Sequence, residues 1–439
     1  MKWLGRVHSS FAASQFWPCG ESTEVRISDS QTSGEMAATN EEQRTLLTIV
    51  RDSDKRMVMT MFERPWVKFA LSSTVASLLF LSYPADSCTA FRVASKDGAI
   101  LVGRSMEFGM DMKSTVMIVP RGFRLSSPAP GGAEGLSWKA KYGFVGMNAL
   151  GLDIATDGLN EAGLSVHMLL LPGYAKYQDV GPQDAAHALA HICVANWILS
   201  NFASTEEVKE AIGNATVFRY EPPGIGFLPL HYAVYDGKRS IVIEYVNGER
   251  HVYDNPVGVM TNSPPFDWQL TNLRNYINLT NLNVDSLKLG SYTLEPIGQG
   301  TGLLGIPGDY TPPHRFVRAT ALAYAALQPA TASEGANLAF HILNSVDIPL
   351  GAIAGRESAS NGATTPAPNA PARAGGLTYD LTQWVTVSDL TNKIYYFRTY
   401  KNLAIRKVEL KKVSFNGPAI QHIDIERGDA VVDVTKQAH

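Results

Sequence analysis

The sequence predicts an α+β layered fold, and three observations carry that expectation. Beyond residue 88, strand-like segments come first, helix-like segments follow, and strands return at the end, so the βαβ alternation of a parallel sheet is missing. Two Asp-Gly pairs, Asp97-Gly98 and Asp236-Gly237, each sit between apolar runs and mark tight hairpins. The helix-like stretches at about 267–279, 313–329 and 335–345 are grouped together rather than interleaved with strands.

In chain order, residues 88–95 and 99–105 read as two strands around the first Asp-Gly turn. Residues 115–120 form a third strand and 163–171 a fourth. Residues 184–203 carry alanine, leucine and isoleucine at helical spacing and are expected to form one helix with a wide apolar face. Residues 230–235 and 240–246 make the second hairpin. After the three helices, residues 377–387, 393–400 and 404–410 return to strands. The stretch 351–376 is rich in Ala, Pro, Ser and Gly and reads as a solvated insertion, because the strands beyond it need partners before it. No internal repeat is visible.

The 439 residues carry a formal net charge of −3, which leaves no basic footprint for nucleic acid. Residues 1–60 are polar and aperiodic, and read as disordered or as an over-extended gene start, with Met57, Met59 and Met61 as alternative starts. Cys19 falls in that extension and takes no role. Residues 61–87 have the layout of a secretory signal: Lys68, the apolar run 69–81, then a short exit ending in Asp86 and Ser87. The run falls short of the roughly 20 apolar residues that span a bilayer. The expectation is therefore a periplasmic or secreted protein, with no stable membrane insertion after processing and a single catalytic domain over 88–439. A buried helix at the start of the domain is the plainer alternative. A lipid anchor at Cys88 fits poorly, with an acidic residue among the small ones before it.

Three cysteines, Cys19, Cys88 and Cys193, cannot build a disulfide framework, which raises the question of whether one is chemical. Cys88 opens the first strand. If the bond before it is cut, one residue carries both a thiol and an α-amine, and that amine titrates near 7.7–8.0. It can then shuttle a proton for its own side chain. A free thiol titrates near 8.5, so a neighbouring cation is needed to raise the thiolate fraction. Arg104, on the paired strand, could supply it. The commonest fate of a lone cysteine is a small buried hydrophobe, and position alone does not decide between the two.

Four further segments decide it. Gly103-Arg104-Ser105-Met106-Glu107-Phe108 sets an arginine and a carboxylate three apart. Asp157 to Leu164 reads as a turn entering a strand, and Gly258 to Phe266 as a strand ending in polar Thr261, Asn262 and Ser263 before a helix. Gly308 to Phe316 leads a helix with Arg315 at its start. Each alone could be a turn, a cap or a surface charge. In this order after an N-terminal cysteine, with Asn272 to Tyr276 and Phe340 to Leu343, they resemble the choloylglycine hydrolase family, which holds the bile salt hydrolases and penicillin V acylases.

That resemblance implies a four-layer αββα sandwich of the N-terminal-nucleophile hydrolases, needing no cofactor and no metal. By the family's pattern Cys88 is nucleophile and, through its amine, base. Arg104 stands beside the thiol. Glu107, where many members carry aspartate, holds the amine. Asn262 donates to the oxyanion with the backbone N–H of Leu170, and Arg315 stabilises charge near the thiol. The substrate would be a small acyl amide with an apolar acyl group: a conjugated bile acid, penicillin V or an N-acyl homoserine lactone. Residues 108–112, 168–174 and those after Pro264 would shape its pocket, with Leu169, Leu170 and Leu171 as a greasy wall. Family pattern also implies a homo-oligomer, a tetramer by default. A rival from another class is a secreted, non-catalytic binding homologue that never frees Cys88.

Other features carry less. His187 and His191 sit four apart but lack the intervening glutamate of a zinc-peptidase helix. The glycine run Gly298 to Gly305 follows no clear strand and is ended by Pro307, so it reads as a shaped loop near the site. Cys193 is expected in the core.

Overall fold

The computed structural model describes residues 87–181, 183–356, 377–428 and 431. The expected extension 1–60, the segment 61–86 and residues 357–376 of the expected insertion lie outside the described residues.

Strands β1 (Cys88–Ala94) and β2 (Ile100–Phe108) form the first predicted hairpin, with Cys88 opposite Met106 and Ala90 opposite Arg104. Gly98 takes φ +83° in the turn. Strand β3 (Thr115–Val119) matches expectation. The next stretch is richer in strand than the sequence suggests: a small hairpin of β4 (Arg124–Pro128) and β5 (Glu134–Lys139), then β6 (Phe144–Ala149), β7 (Leu152–Asn160) and β8 (Ser165–Leu170). Asp157 therefore lies inside a strand, and the turn falls at residues 161–163. There the Asn160 side-chain oxygen accepts the N–H groups of Ala162, Gly163 and Leu164.

The expected helix over 184–203 is broken. Ala188–Ala190 is a short strand, β9, and only Val194–Asn201 is α-helix (α1). β9 pairs in parallel with β10 (Thr216–Phe218), and Ala190 N–H donates to Ser127 Oγ, so pairing partners override the helical spacing. Between them α2 (Thr205–Ala211) is capped by Ser204, which accepts from Glu207 N–H. Strands β11 (Leu230–Tyr235) and β12 (Ser240–Val246) are the second predicted hairpin, extended by β13 (Glu249–Asp254). After β14 (Val259–Met260) comes α3 (Phe266–Leu273), shorter than expected. An exposed arm holds β15 (Leu287–Leu289) and β16 (Tyr292–Leu294). Helices α4 (Pro312–Ala325) and α5 (Ala332–Asn344) follow. Strands β17 (Ile353–Arg356), β18 (Leu377–Asp389), β19 (Ile394–Thr399), β20 (Arg406–Glu409) and β21 (Gln421–Asp424) complete the described chain.

Two antiparallel sheets result. The first runs β14-β1-β2-β18-β19-β20, with β17 added to β18, and the second runs β13-β12-β11-β8-β7-β6-β3-β21. One apolar core joins side chains of both sheets to Phe316, Ala319 and Ala339 of α4 and α5. The other joins the second sheet to Val194, Ile198 and Leu199 of α1 and Val208 of α2. This is the expected α+β, four-layer αββα sandwich.

Strand alternation assigns the faces. Cys88, Ala90, Arg104 and Met106 share the face of the first sheet turned to the second sheet, where Arg104 reaches the Met168 carbonyl of β8. Thr89, Phe91 and Glu107 occupy the opposite face, under α4, where Arg315 bonds Thr89 Oγ1. Phe91 lies so close over Gly103 that a Cβ there would sit 2.7 Å from its ring, so only glycine fits opposite it.

Candidate active site

Cys88 is the first residue of an interior strand and is 2 % exposed. In the continuous chain its nitrogen is a peptide N–H, and it donates to Asn262 Oδ1 at 2.7 Å. The sulfur lies 4.0 Å from Arg104 Nη2 and 3.8 Å from Met106 Sδ. Burial pushes the thiol up to about 11; the Arg104 charge counters this only in part, and the Glu107 charge adds to it. The sulfur is therefore a neutral thiol at pH 7 while the chain is uncut.

Arg104 is fully buried. Its Nη2 donates to Met168 O at 2.5 Å, and its guanidinium carbon lies 4.8 Å from the ring centroid of Trp384 in β18. Nε and Nη1 have no partner among the described residues. A buried cation held by a carbonyl and an aromatic face, beside a sulfur, favours a thiolate whenever one forms.

Asn262 follows β14 and gathers three elements. Oδ1 accepts from both Cys88 N and Arg315 Nη2, the latter at 2.8 Å, and Nδ2 donates to Leu170 O at 2.8 Å. Two donors on one end and a carbonyl on the other fix which end is oxygen. The second Nδ2 proton stays available to a ligand oxygen. Leu170 ends β8 three residues beyond the last β7 pair, Asp157–His167, so its backbone lies past the paired part of that ladder.

Arg315 enters from the first turn of α4, which opens with Pro312 and Pro313, where missing N–H groups cost nothing. Its Nε donates to Tyr310 O at 2.8 Å, and Nη1 donates to Cys88 O and to Thr89 Oγ1. Burial lowers its pKa to about 10, partly countered by Glu107 and Cys88, and it remains a cation at neutral pH. Glu107 accepts from Thr382 Oγ1 at 3.0 Å through Oε1, while Oε2 is buried without a partner among the described residues. Burial raises its pKa to about 8, against the pull of Arg315, Ser105, Thr382 and Arg104. The Cys88 N–H does not turn to Glu107 in the continuous chain; its hydrogen goes to Asn262.

Beside the sulfur lies a small apolar cavity of about 50 Å³. Phe108, Met112, Met168 and Leu170 of the expected pocket segments line it, whereas Leu169, Leu171 and the stretch after Pro264 do not. Leu150, Ile154, Ile192 and Leu228 line it too and were not foreseen, because each reads in sequence as ordinary core. The glycine run 298–305 lies on the exposed arm, where Asn283 accepts the Gly300 N–H, and lines none of this cavity. His191 is buried, with Nε2 against Leu228 O and Nδ1 accepting Tyr220 N–H; burial lowers its pKa to about 4. Cys193 is buried in the core of the second sheet, as expected.

Known proteins match this chain in sequence and in fold. The sequence model described as linear amide C-N hydrolases, choloylglycine hydrolase family, matches residues 88–422, beginning at Cys88 itself. A bile salt hydrolase/transferase of Clostridium perfringens is 34% identical over 342 residues, 76% of this chain and 95% of that one. The conjugated bile acid hydrolase of the same organism superposes with a TM-score of 0.65 at 32% identity, over 77% of this chain and 96% of that chain. It was solved with alanine in place of the cysteine at its second position, and again with leucine in place of an arginine sixteen residues further on, the spacing that separates Cys88 from Arg104. A penicillin V acylase of Agrobacterium tumefaciens superposes with a TM-score of 0.58 at 25% identity, over 77% and 91%.

One expectation is corrected by these relatives. The periplasmic or secreted reading rested on the apolar run 69–81. The bile salt hydrolases among the matched relatives come from Gram-positive bacteria, Bifidobacterium longum and Lactiplantibacillus plantarum among them, and these enzymes are cytoplasmic. In the C. perfringens chain a single residue precedes the cysteine, so no export segment is needed to bring it near the terminus. A dozen apolar residues after a lysine are a hydropathy pattern, which a signal shares with other segments.

Proposed function

Because this chain belongs to the choloylglycine hydrolase family and is a linear amide C–N hydrolase, we propose that it cleaves amides of apolar acids, conjugated bile acids first and penicillin V second. The observation that carries the reading is the Cys88 sulfur, set between the Arg104 guanidinium and an apolar cavity, at the residue where the family match begins. The relatives' names supply the two substrates.

In this reading the working enzyme begins at Cys88, freed by cleavage of the Ser87–Cys88 bond. The α-amine takes the thiol proton, and the thiolate attacks the amide carbon. A C–S bond forms, and the carbonyl oxygen becomes an oxyanion that receives the free Nδ2 proton of Asn262 and the Leu170 N–H. Removing one such donor typically costs about 10²–10³ in rate. The ammonium then gives its proton to the leaving nitrogen, and the C–N bond breaks. Water adds to the thioester through the same amine, releasing the acid and restoring the thiol. Arg104 stabilises the thiolate, Glu107 pairs with the ammonium, and Arg315 orders the Cys88 carbonyl and the Asn262 amide. The partnerless Glu107 Oε2 and its raised pKa support that pairing, since an arriving ammonium would satisfy the oxygen and draw the carboxyl back toward its ionised form.

The enzyme also works as a homo-oligomer, a tetramer by family pattern. The arm carrying Leu287, Leu289, Tyr292 and Leu294, each more than 40 % exposed, supports this, because lone chains seldom leave such apolar patches in water.

The test is direct. Protein shown by N-terminal sequencing to start at Cys88 releases glycine from glycocholate or phenoxyacetate from penicillin V, and Cys88→Ala does not. Turnover by that variant, or by protein whose Cys88 nitrogen is still in peptide linkage, overturns the reading.

A further inference from the structure

Asn262 is held by its backbone as well as its side chain. Its carbonyl accepts from Gln269 Nε2 at 3.1 Å, and the same nitrogen reaches Pro264 O at 3.3 Å. Gln269 is 2 % exposed and lies one turn into α3, so its side chain folds back over the loop that presents Asn262. Its Oε1 is buried without a partner among the described residues. The position of Gln269 depends in turn on where α3 begins. Pro265 precedes the helix and gives no side-chain cap. The cap comes from another element: Glu244 of β12, fully buried, accepts the Phe266 N–H at 3.1 and 3.2 Å through its two oxygens. The same carboxylate accepts from His231 Nδ1 of β11 at 2.8 Å.

We infer that Glu244 and Gln269 are positioning residues that set the angle of the Asn262 amide, one by anchoring the start of α3 and the other by gripping the Asn262 carbonyl. The chain of bonds runs His231, Glu244, Phe266 N–H, helix, Gln269, Asn262. Each link is buried, so none is loosened by exchange with water. An amide that must aim a single remaining proton at a developing oxyanion needs its backbone fixed as well as its tip. The inference rests on the oxyanion role given to Asn262 above.

Conservative variants separate positioning from bulk stability. Gln269→Leu keeps most of the volume and removes a partnerless acceptor together with the donor, so the fold survives. Its kcat on glycocholate or penicillin V, whichever the parent turns over, is expected to fall by about tenfold or more, with KM within about threefold. Alkylation of Cys88 by iodoacetamide is expected to stay within about twofold of the parent, because alkylation develops no oxyanion. Glu244→Ala should behave likewise. Glu244→Gln should recover most of the activity, since its amide oxygen still accepts Phe266 N–H and its NH₂ can donate to His231 in the other tautomer. Unchanged kcat in Gln269→Leu and Glu244→Ala overturns the inference. So does a parallel loss of alkylation and turnover, which would mark general disruption. Asn262→Ala is the control: full activity there removes Asn262 from the oxyanion site itself, whereas an inactive Asn262→Ala beside a normal Gln269→Leu refutes the positioning alone.

Discussion

The Cys88 nitrogen and the Asn262 side chain, 174 residues apart in sequence, meet at 2.7 Å, with the nitrogen donating to Oδ1. The contact joins the start of β1 to the end of β14, neighbours in one sheet. Since Oδ1 also receives Arg315, the Asn262 amide is turned so that its NH₂ faces Leu170. Asn262→Ala is expected to lower kcat by about 10²–10³ with little change in folding, and Asn262→Asp to lower it further, because a carboxylate repels an oxyanion. Steady-state kinetics on glycocholate or penicillin V checks both, and a variant with parental kcat excludes the role.

Cleavage before Cys88 should change its sulfur more than any nearby mutation. In the uncut chain the thiol pKa is near 11, so alkylation by iodoacetamide should be slow at pH 7 and climb steadily toward that pH. Once Cys88 carries an ammonium, a positive charge sits beside the sulfur and favours the thiolate, so the profile should move to lower pH. Rate–pH profiles of the cut and uncut forms test this, and coincident profiles would refute it.

Glu107 gives a stability prediction with a definite sign. Its pKa is about 8 in the uncut fold and near 4.5 when unfolded, so between these values the folded chain holds a proton that the unfolded chain has lost. Stability attributable to this group is therefore greatest below about pH 4.5 and falls as pH rises to about 8. Glu107→Gln removes the titration. The melting-temperature gap between the variant and the parent, both uncut, should widen in the variant's favour from pH 5 to pH 8. For activity the order reverses: Glu107→Asp is tolerated in the cut enzyme and Glu107→Ala is not, because the ammonium needs a carboxylate. Equal turnover in the two would remove that role.

The arm should govern assembly. Replacing Leu287, Leu289 and Leu294 with Lys is expected to lower the mass measured by light scattering while leaving the site residues, which lie elsewhere, folded. An unchanged mass would show that the arm is not an interface.

The legible parts of the fold were those with strong local punctuation. Asp97-Gly98 and Asp236-Gly237 marked both hairpins, and the paired strands fell within three residues of their expected places. What escaped was decided by distant partners. Ala188–Ala190 has helical spacing yet pairs with Thr216–Phe218, and strands β6 and β7 lacked clean alternation because most of their residues are buried on both faces. Helix α2 was readable and missed: Ser204 and Glu207 make a capping signature, with the serine accepting Glu207 N–H and the glutamate accepting Ala203 N–H. At the site, Cys88, Arg104, Asn262, Arg315 and Leu170 come together, with Glu107 behind the strand. Gln269 and Glu244 gave no sequence signal, since a polar residue in a helix or strand reads as surface until its burial is known.

Strand β18 bears on when the enzyme can exist at all. It supplies Thr382 to Glu107 and the Trp384 ring to Arg104, and it pairs with β2 on the side away from β1. The ribosome reaches Cys88 early and residue 389 some three hundred residues later. Until then the nascent chain carries its sulfur without the wall that aligns the neighbouring arginine. The surroundings of Arg104 and Glu107 are thus completed by a strand that lies far downstream of the cysteine they serve.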